Sequence, residues 1–354
     1  MKKELLLATT VAGLALGATS ASAVTSTMSG NHRVGLLDVD RDSSSTTTGT
    51  TNENVQSSFA VALEETTDSG TTIAGSFTLM SESAGFSNSS SGVTLTFTDG
   101  SSLELLKAGN ATKDHDVAVP GVSGEMSLGQ SSSNSAAVGI DGVGANNNVG
   151  FAWHSAADVA GIEGASISLS YSNGDETAVA TATSKVDSSW SAGVTYVTTT
   201  GDTTVTLGAG MLEASDDNTT TKTDYSTYHV GAVAVNGDLT VGIGIGAGDY
   251  PDGTTTSTNE VLDWEAVEAG LSYVSGDLTF TAMYRDSDSI DDTAGNTPSG
   301  VKDGIERTGL SVDYAVASGV TTTVGFINQS ATNEGTKEQT NSGSSWYIGT
   351  NLSF

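Results

Sequence analysis

Near the C-terminus, apolar and polar residues change places at every step. Trp346, Ile348, Thr350, Leu352 and Phe354 share one face of an extended segment, and Tyr347, Gly349, Asn351 and Ser353 share the other. The same period of two recurs upstream. Leu239, Val241, Ile243 and Ile245 alternate with Thr240, Gly242 and Gly244, and Leu278, Phe280, Ala282 and Tyr284 with Thr279, Thr281 and Arg285. Leu310, Val312, Tyr314 and Val316 alternate with Ser311 and Asp313, and Phe59, Val61 and Leu63 with Ala60, Ala62 and Glu64. A period of two is the signature of a strand with unlike faces.

Glycine with Asn, Asp or Ser punctuates these runs at Asp68-Ser69-Gly70, Asp99-Gly100-Ser101, Thr200-Gly201-Asp202, Asn236-Gly237-Asp238, Ser275-Gly276-Asp277 and Ala317-Ser318-Gly319. Such residues tolerate the positive φ of tight hairpins. The remaining connections are long and polar: 40–53, 83–91, 108–147, 173–187, 214–224, 248–260, 287–304 and 330–343. Strands are therefore predicted at 27–39, 54–64, 71–82, 92–98, 102–107, 148–155, 165–172, 188–198, 203–213, 225–235, 239–247, 261–274, 278–286, 305–316, 320–329 and 344–354. About sixteen antiparallel strands with alternating short and long connections fit a closed transmembrane β-barrel, short turns on one side and long loops on the other. A water-soluble sandwich also alternates. Here, however, the polar face is small and glycine-rich, as in a wall facing a water-filled lumen. In a bilayer every backbone group must bond within the protein, so the sheet must close with its apolar face outward.

The first residues change the compartment. Lys2 and Lys3, the apolar stretch Leu5 to Leu16, and Ala21-Ser22-Ala23 read as a cleaved export signal, so that 1–23 is removed and 24–354 is the barrel. The rest has no run of about 20 apolar residues and hence no transmembrane helix. There is no cysteine, which excludes disulfides, a catalytic thiol and iron–sulfur clusters. The net charge of −30 excludes a nucleic-acid partner, since nothing would neutralise phosphates.

Taken together, the Lys-Lys signal ending Ala-Ser-Ala, the Gly-Asp-Leu-Thr hairpins at 237–240 and 276–279, and the segment Trp346 to Phe354 make the chain resemble the general bacterial porins, particularly the alphaproteobacterial type related to Rhodobacter. The resemblance implies an outer-membrane channel of a Gram-negative bacterium for passive diffusion of small hydrophilic solutes and ions, without enzymatic activity. It also implies a homotrimer surrounded by outer-membrane lipid and lipopolysaccharide. Phe354 would be presented to the barrel-assembly machinery, and the third external loop, 108–147 here, would fold into the pore as a constriction.

In that loop Asp114, Asp116, Glu125 and Asp141 are the candidate pore-lining carboxylates, softened by Lys113 and His115. Carboxylate rows attract cations. Porins of this type set a wall of arginines against the acidic loop. This chain departs from them, since only Arg33, Lys107, Arg285 and Arg307 remain as candidate basic groups of the wall. With Glu64, Glu82, Glu104, Glu268 and Asp313 on or near the lumen face, a cation-preferring pore is expected.

Other groups carry weaker chemistry. Asp38, Asp40 and Asp42 at the first loop are candidate calcium ligands, as are Asp286, Asp288, Asp291 and Asp292 at the seventh, although neither set matches an EF-hand. Otherwise they are solvated acidic loops, and no other cofactor is expected. Trp153, Trp190, Trp264 and Trp346, with Tyr171, Tyr196, Tyr273, Tyr284 and Tyr314, are placed to form interfacial girdles. His32, His115, His154 and His229 are scattered, without metal-binding spacing. No Gly-x-Ser-x-Gly elbow is present. The alternative reading is an exported, non-channel β-rich surface protein or adhesin, with its apolar faces turned inward.

Overall fold

A computed structural model describes residues 24–41, 50–82, 85–106, 110–122, 149–173, 186–216, 224–251, 261–291, 303–332 and 342–354. The export-signal residues 1–23 lie outside them. The strands are β1 (Thr25–Arg41), β2 (Thr50–Thr66), β3 (Thr72–Glu82), β4 (Gly85–Ser90), β5 (Val93–Thr96), β6 (Ser102–Leu105), β7 (Val149–His154), β8 (Ala165–Asn173) and β9 (Val186–Thr200). They continue with β10 (Thr203–Asp216), β11 (Asp224–Asn236), β12 (Leu239–Pro251), β13 (Val261–Ser275), β14 (Leu278–Asp291), β15 (Asp303–Ala317), β16 (Val320–Thr332) and β17 (Gly343–Ser353).

Strands next to each other in sequence pair antiparallel, except that β4 and β5 do not pair with each other, and β17 returns to β1 with Gly35 opposite Gly349. Closure leaves no edge, as a bilayer demands. β4 and β5 both pair with β3, so the seventeen segments fill sixteen positions in the wall. Part of the predicted 83–91 loop is thus strand. Between the halves Ser91 is held by Ser76, its N–H donating to the Ser76 carbonyl (2.8 Å) and its hydroxyl accepting from the Ser76 N–H (2.7 Å). A Cβ on Gly92 would lie 1.5 Å from the Leu106 carbonyl oxygen, so this break admits only glycine.

All six predicted tight turns form, each with its glycine at positive φ: Gly70, Gly100, Gly201, Gly237, Gly276 and Gly319, between 55° and 87°. The long connections leave from the opposite end, mostly outside the described residues.

Alternation sets the two faces. Val34, Leu36, Ile243, Ile245, Leu310 and Ile348 are each about half exposed and share the outward face, where lipid covers them. No helix among the described residues is long and apolar enough to cross a membrane. Where β17 meets β1, the buried Tyr347 ring lies over Gly35 and Gly349 on the inward face. Phe354 closes the seam by a reciprocal backbone pair with Gly30, 3.1 Å each way.

Exposed aromatics sit near both ends of the strands, Tyr171, Trp190 and Trp346 toward the loops and Tyr196, Tyr273 and Tyr314 toward the turns. Trp264 differs. Its parity puts it on the inward face, 4% exposed, so it is no part of a girdle. Asp38 and Asp40 also differ from expectation, because β1 continues through them and turns both outward, in phase with Val34 and Leu36. Asp38 accepts a 2.7 Å hydrogen bond from the Thr51 hydroxyl. Asp42 and Asp292 lie outside the described residues, and among those described no three His, Asp or Glu side chains gather as metal ligands.

Candidate functional site

The inward wall carries glycine on successive strands, and a segment of chain lies in the trench they leave. Residues 110–122, the start of the third long connection, cross from β8 to β15. An added Cβ on Gly193 would meet the Ala111 carbonyl at 2.7 Å and the His115 ring at 2.3 Å. On Gly208 it would meet the His115 carbonyl oxygen at 2.1 Å, on Gly231 the Val117 side chain at 2.3 Å, and on Gly270 the Pro120 carbonyl oxygen at 1.8 Å. At the far end Gly309 faces Val122 at 2.8 Å. Glycine in a strand costs about 0.5–1 kcal/mol relative to alanine. Close seating of the segment offsets that cost: Ala111 and Thr112 are 0% exposed.

Polar pins supplement the packing. The Ala111 N–H donates to Ser170 Oγ (3.1 Å) and the Thr112 N–H to Ser191 Oγ (3.3 Å), and the two serines bond each other at 2.6 Å. His229 Nε2 donates to the Thr112 carbonyl at 2.7 Å. A short 3-10 turn at Lys113–His115 then drives His115 into the wall. Its Nδ1 lies 2.6 Å from Thr195 Oγ1 and its Nε2 2.7 Å from Ser168 Oγ, which also reaches His154 Nδ1 at 2.9 Å. Burial, with His154 and His229 nearby, pushes the His115 imidazole down to about 4, so it is neutral at pH 7. Three histidines scattered in sequence therefore converge on the loop.

Among the predicted carboxylates, Asp114 is exposed beside this cluster. Its Oδ2 lies 3.7 Å from His154 Nδ1, and Glu104 lies 3.8 Å from the other ring nitrogen of the same histidine. Partial desolvation against the wall raises the Asp114 carboxyl above the ordinary range, and Glu104 adds to this against His154 and Lys113. Asp116 is half-buried next to the 3-10 turn. Glu125 and Asp141 lie outside the described residues, as does Lys107.

Arg33, Arg285 and Arg307, the predicted basic groups that are described, stand on the inward wall in two rows. Glu268, Arg285, Arg307 and Gln329 are successive cross-strand partners on β13 to β16, and Arg307 Nε donates to Gln329 Oε1 at 2.6 Å. Residues Val119–Val122 meet this row in a recess of about 230 Å³. Across the seam Arg33 donates to Gln56. Arg33, Arg285 and Arg307 thus each sit beside an acid or amide. Sequence reading did not anticipate the seat of the loop: Ser168, Ser170, Ser191, Thr195 and the wall glycines. The signal available was the recurrence of inward glycine at 193, 208, 231, 242, 270 and 309.

A closed sixteen-stranded sheet, apolar outside and polar inside with a segment of chain laid on its inner wall, is the architecture of a channel and not of an adhesin. Residues 8–336 match the family model described as Gram-negative porin. No curated protein sequence matches. Similar solved structures include OmpT of Vibrio cholerae in its trimer form, at 15% identity and a TM-score of 0.64, covering 94% of this chain and 100% of that one. The anion-selective porin of Comamonas acidovorans aligns at 12% identity with a TM-score of 0.66, covering 94% and 100%. A mutant of the Rh. blastica porin aligns at 17% identity with a TM-score of 0.55, covering 93% and 100%. At such identities these likenesses speak for the fold, while the family match covers most of the sequence: the chain belongs to the Gram-negative porins and forms a channel in the outer membrane.

Proposed function

We propose that this porin conducts by passive diffusion, with the third loop narrowing the lumen and carboxylates biasing passage toward cations and small neutral solutes. The seating of residues 110–122 on the inner wall supports this most directly. Asp114 stands exposed on that segment with Glu104 near it, while Arg285 has Glu268 as its cross-strand neighbour. A net charge of −30 adds to the bias. A porin of the same fold is anion-selective, so the fold alone does not set the sign. Under this reading the protein is a homotrimer, as OmpT is in its trimer form, set among outer-membrane lipid and lipopolysaccharide.

Planar-bilayer recording under a KCl gradient tests the proposal. Stepwise openings in threes with a cation-selective reversal potential are expected, and Asp114→Asn with Glu104→Gln should move that potential toward zero. Anion selectivity, or a potential indifferent to both substitutions, would overturn the charge assignment. The aromatic end is proposed to engage the assembly machinery. Phe354→Ala should then lower the amount of folded barrel in the outer membrane at unchanged synthesis, and equal recovery would rule that role out.

A further inference from the structure

On the outward side of β7 to β11, at their loop ends, a single cross-strand row changes from aromatic to acidic. Phe151 stands opposite Tyr171, Tyr171 opposite Trp190, Trp190 opposite Glu213, and Glu213 opposite Ser226. The first two rings are 6.3 Å apart. Tyr171, Trp190, Ser188, Glu213, Ser226 and Asp249 line one open cleft of about 390 Å³. Tyr171 and Trp190 are 42% and 43% exposed, so the rings offer area to a ligand and are not covered by the protein. Toward the turns, the same strands present Leu169, Met211 and Tyr228 to lipid.

We propose that this cleft binds the pyranose ring of a sugar-headed lipid of the outer leaflet. The inference rests on the outer-membrane placement above. A pyranose has a C–H face that packs on aromatic rings and a rim of hydroxyls that donate to carboxylates and exchange hydrogen bonds with serine hydroxyls. An interfacial girdle needs the rings and not the acids, and outward carboxylates at a membrane surface are costly without donors. Asp249 has Asp263 as a hydrogen-bond partner, and a sugar supplies donors to Glu213 without charge. The cleft opens directly above the apolar strip, so the acyl chains of the same molecule lie along Leu169, Met211 and Tyr228. That continuity selects a glycolipid over a free sugar.

The test places the trimer in phosphatidylcholine nanodiscs containing a minor fraction of glucosyl diacylglycerol or, separately, of phosphatidylglycerol with calcium. Lipid retained by the released protein is measured by native mass spectrometry. The wild type should hold the glucosyl lipid in excess of its share of the disc, and Trp190→Ala and Glu213→Gln should each reduce that excess about fivefold. Unchanged retention in Trp190→Ala would overturn the proposal. So would equal retention of phosphatidylglycerol with calcium, which marks a cation-bridged phosphate. Single-channel conductance serves as the control. It stays at the wild-type value in both variants if they fold, and its absence in all three proteins would strike at the channel reading and not at the lipid site.

Discussion

Gly270→Ala should yield a less stable barrel with a narrower, noisier channel, although alanine is ordinarily the mildest replacement in a strand. The new methyl group would lie 1.8 Å from the Pro120 carbonyl oxygen and 2.7 Å from its carbon. Both are main-chain atoms, so no rotamer change relieves the overlap and the segment must move off the wall. Its N-terminal end stays tied to Ser170 and Ser191, so the displacement carries Pro120 into the lumen. Overpacking of this kind costs about 1–3 kcal/mol. Gly75→Ala is the control, because the nearest atom to its Cβ, at 3.5 Å, is in ordinary contact. Single-channel recording and the temperature of heat modification on gels measure the two effects. If the variants at 270 and 75 both match the wild type, residues 110–122 do not rest in the glycine trench.

That prediction depends on something only partly legible in the sequence. The strands were legible because one side must meet lipid and the other must not. Val34, Leu36, Ile243 and Ile348 betray that demand residue by residue, and the turns follow from glycines that alone accept their φ. The period of two says which way a residue points and nothing about what fills the space in front of it. Inward glycine was therefore read as a wall around water, whereas at 193, 208, 231 and 270 it is room for another piece of backbone. The same limit hid the pins. Ala111 meets Ser170 across 59 residues and Thr112 meets His229 across 117, separations at which spacing carries no signal. Trp264 was misplaced for a related reason: its nearness to a strand end suggested a girdle, but its parity decides its side. Asp114 was legible as a charge in the longest loop, but its pairing with His154 was not.

Those histidines lead to the second large effect, a loss of loop anchoring in acid. His115 is held neutral at about 4, against an ordinary 6.5, chiefly by burial. Released into water it would bind a proton more readily, so between those values the released segment carries more protons than the seated one. Anchoring is complete above pH 6.5, weakens as pH falls, and stops changing below about 4. At about 1.4 kcal/mol per unit, the window removes roughly 3 kcal/mol. The groups around the ring act with it. His154 and His229 lie close enough to the ring to disfavour a positive charge on it. Asp114, whose carboxyl is held above the usual range, stands beside it with Glu104, Asp116 and Lys113 as the other ionisable neighbours. Open-channel noise and amide hydrogen exchange over 110–122 should therefore rise between pH 6.5 and 4, while the strands of the barrel keep their protection. His115→Gln keeps a neutral polar group at the site and should exchange somewhat faster at pH 7 with a much flatter pH response. A wild-type segment equally protected at pH 7 and 4.5, or a variant with the full wild-type pH response, would show that this histidine does not hold the loop.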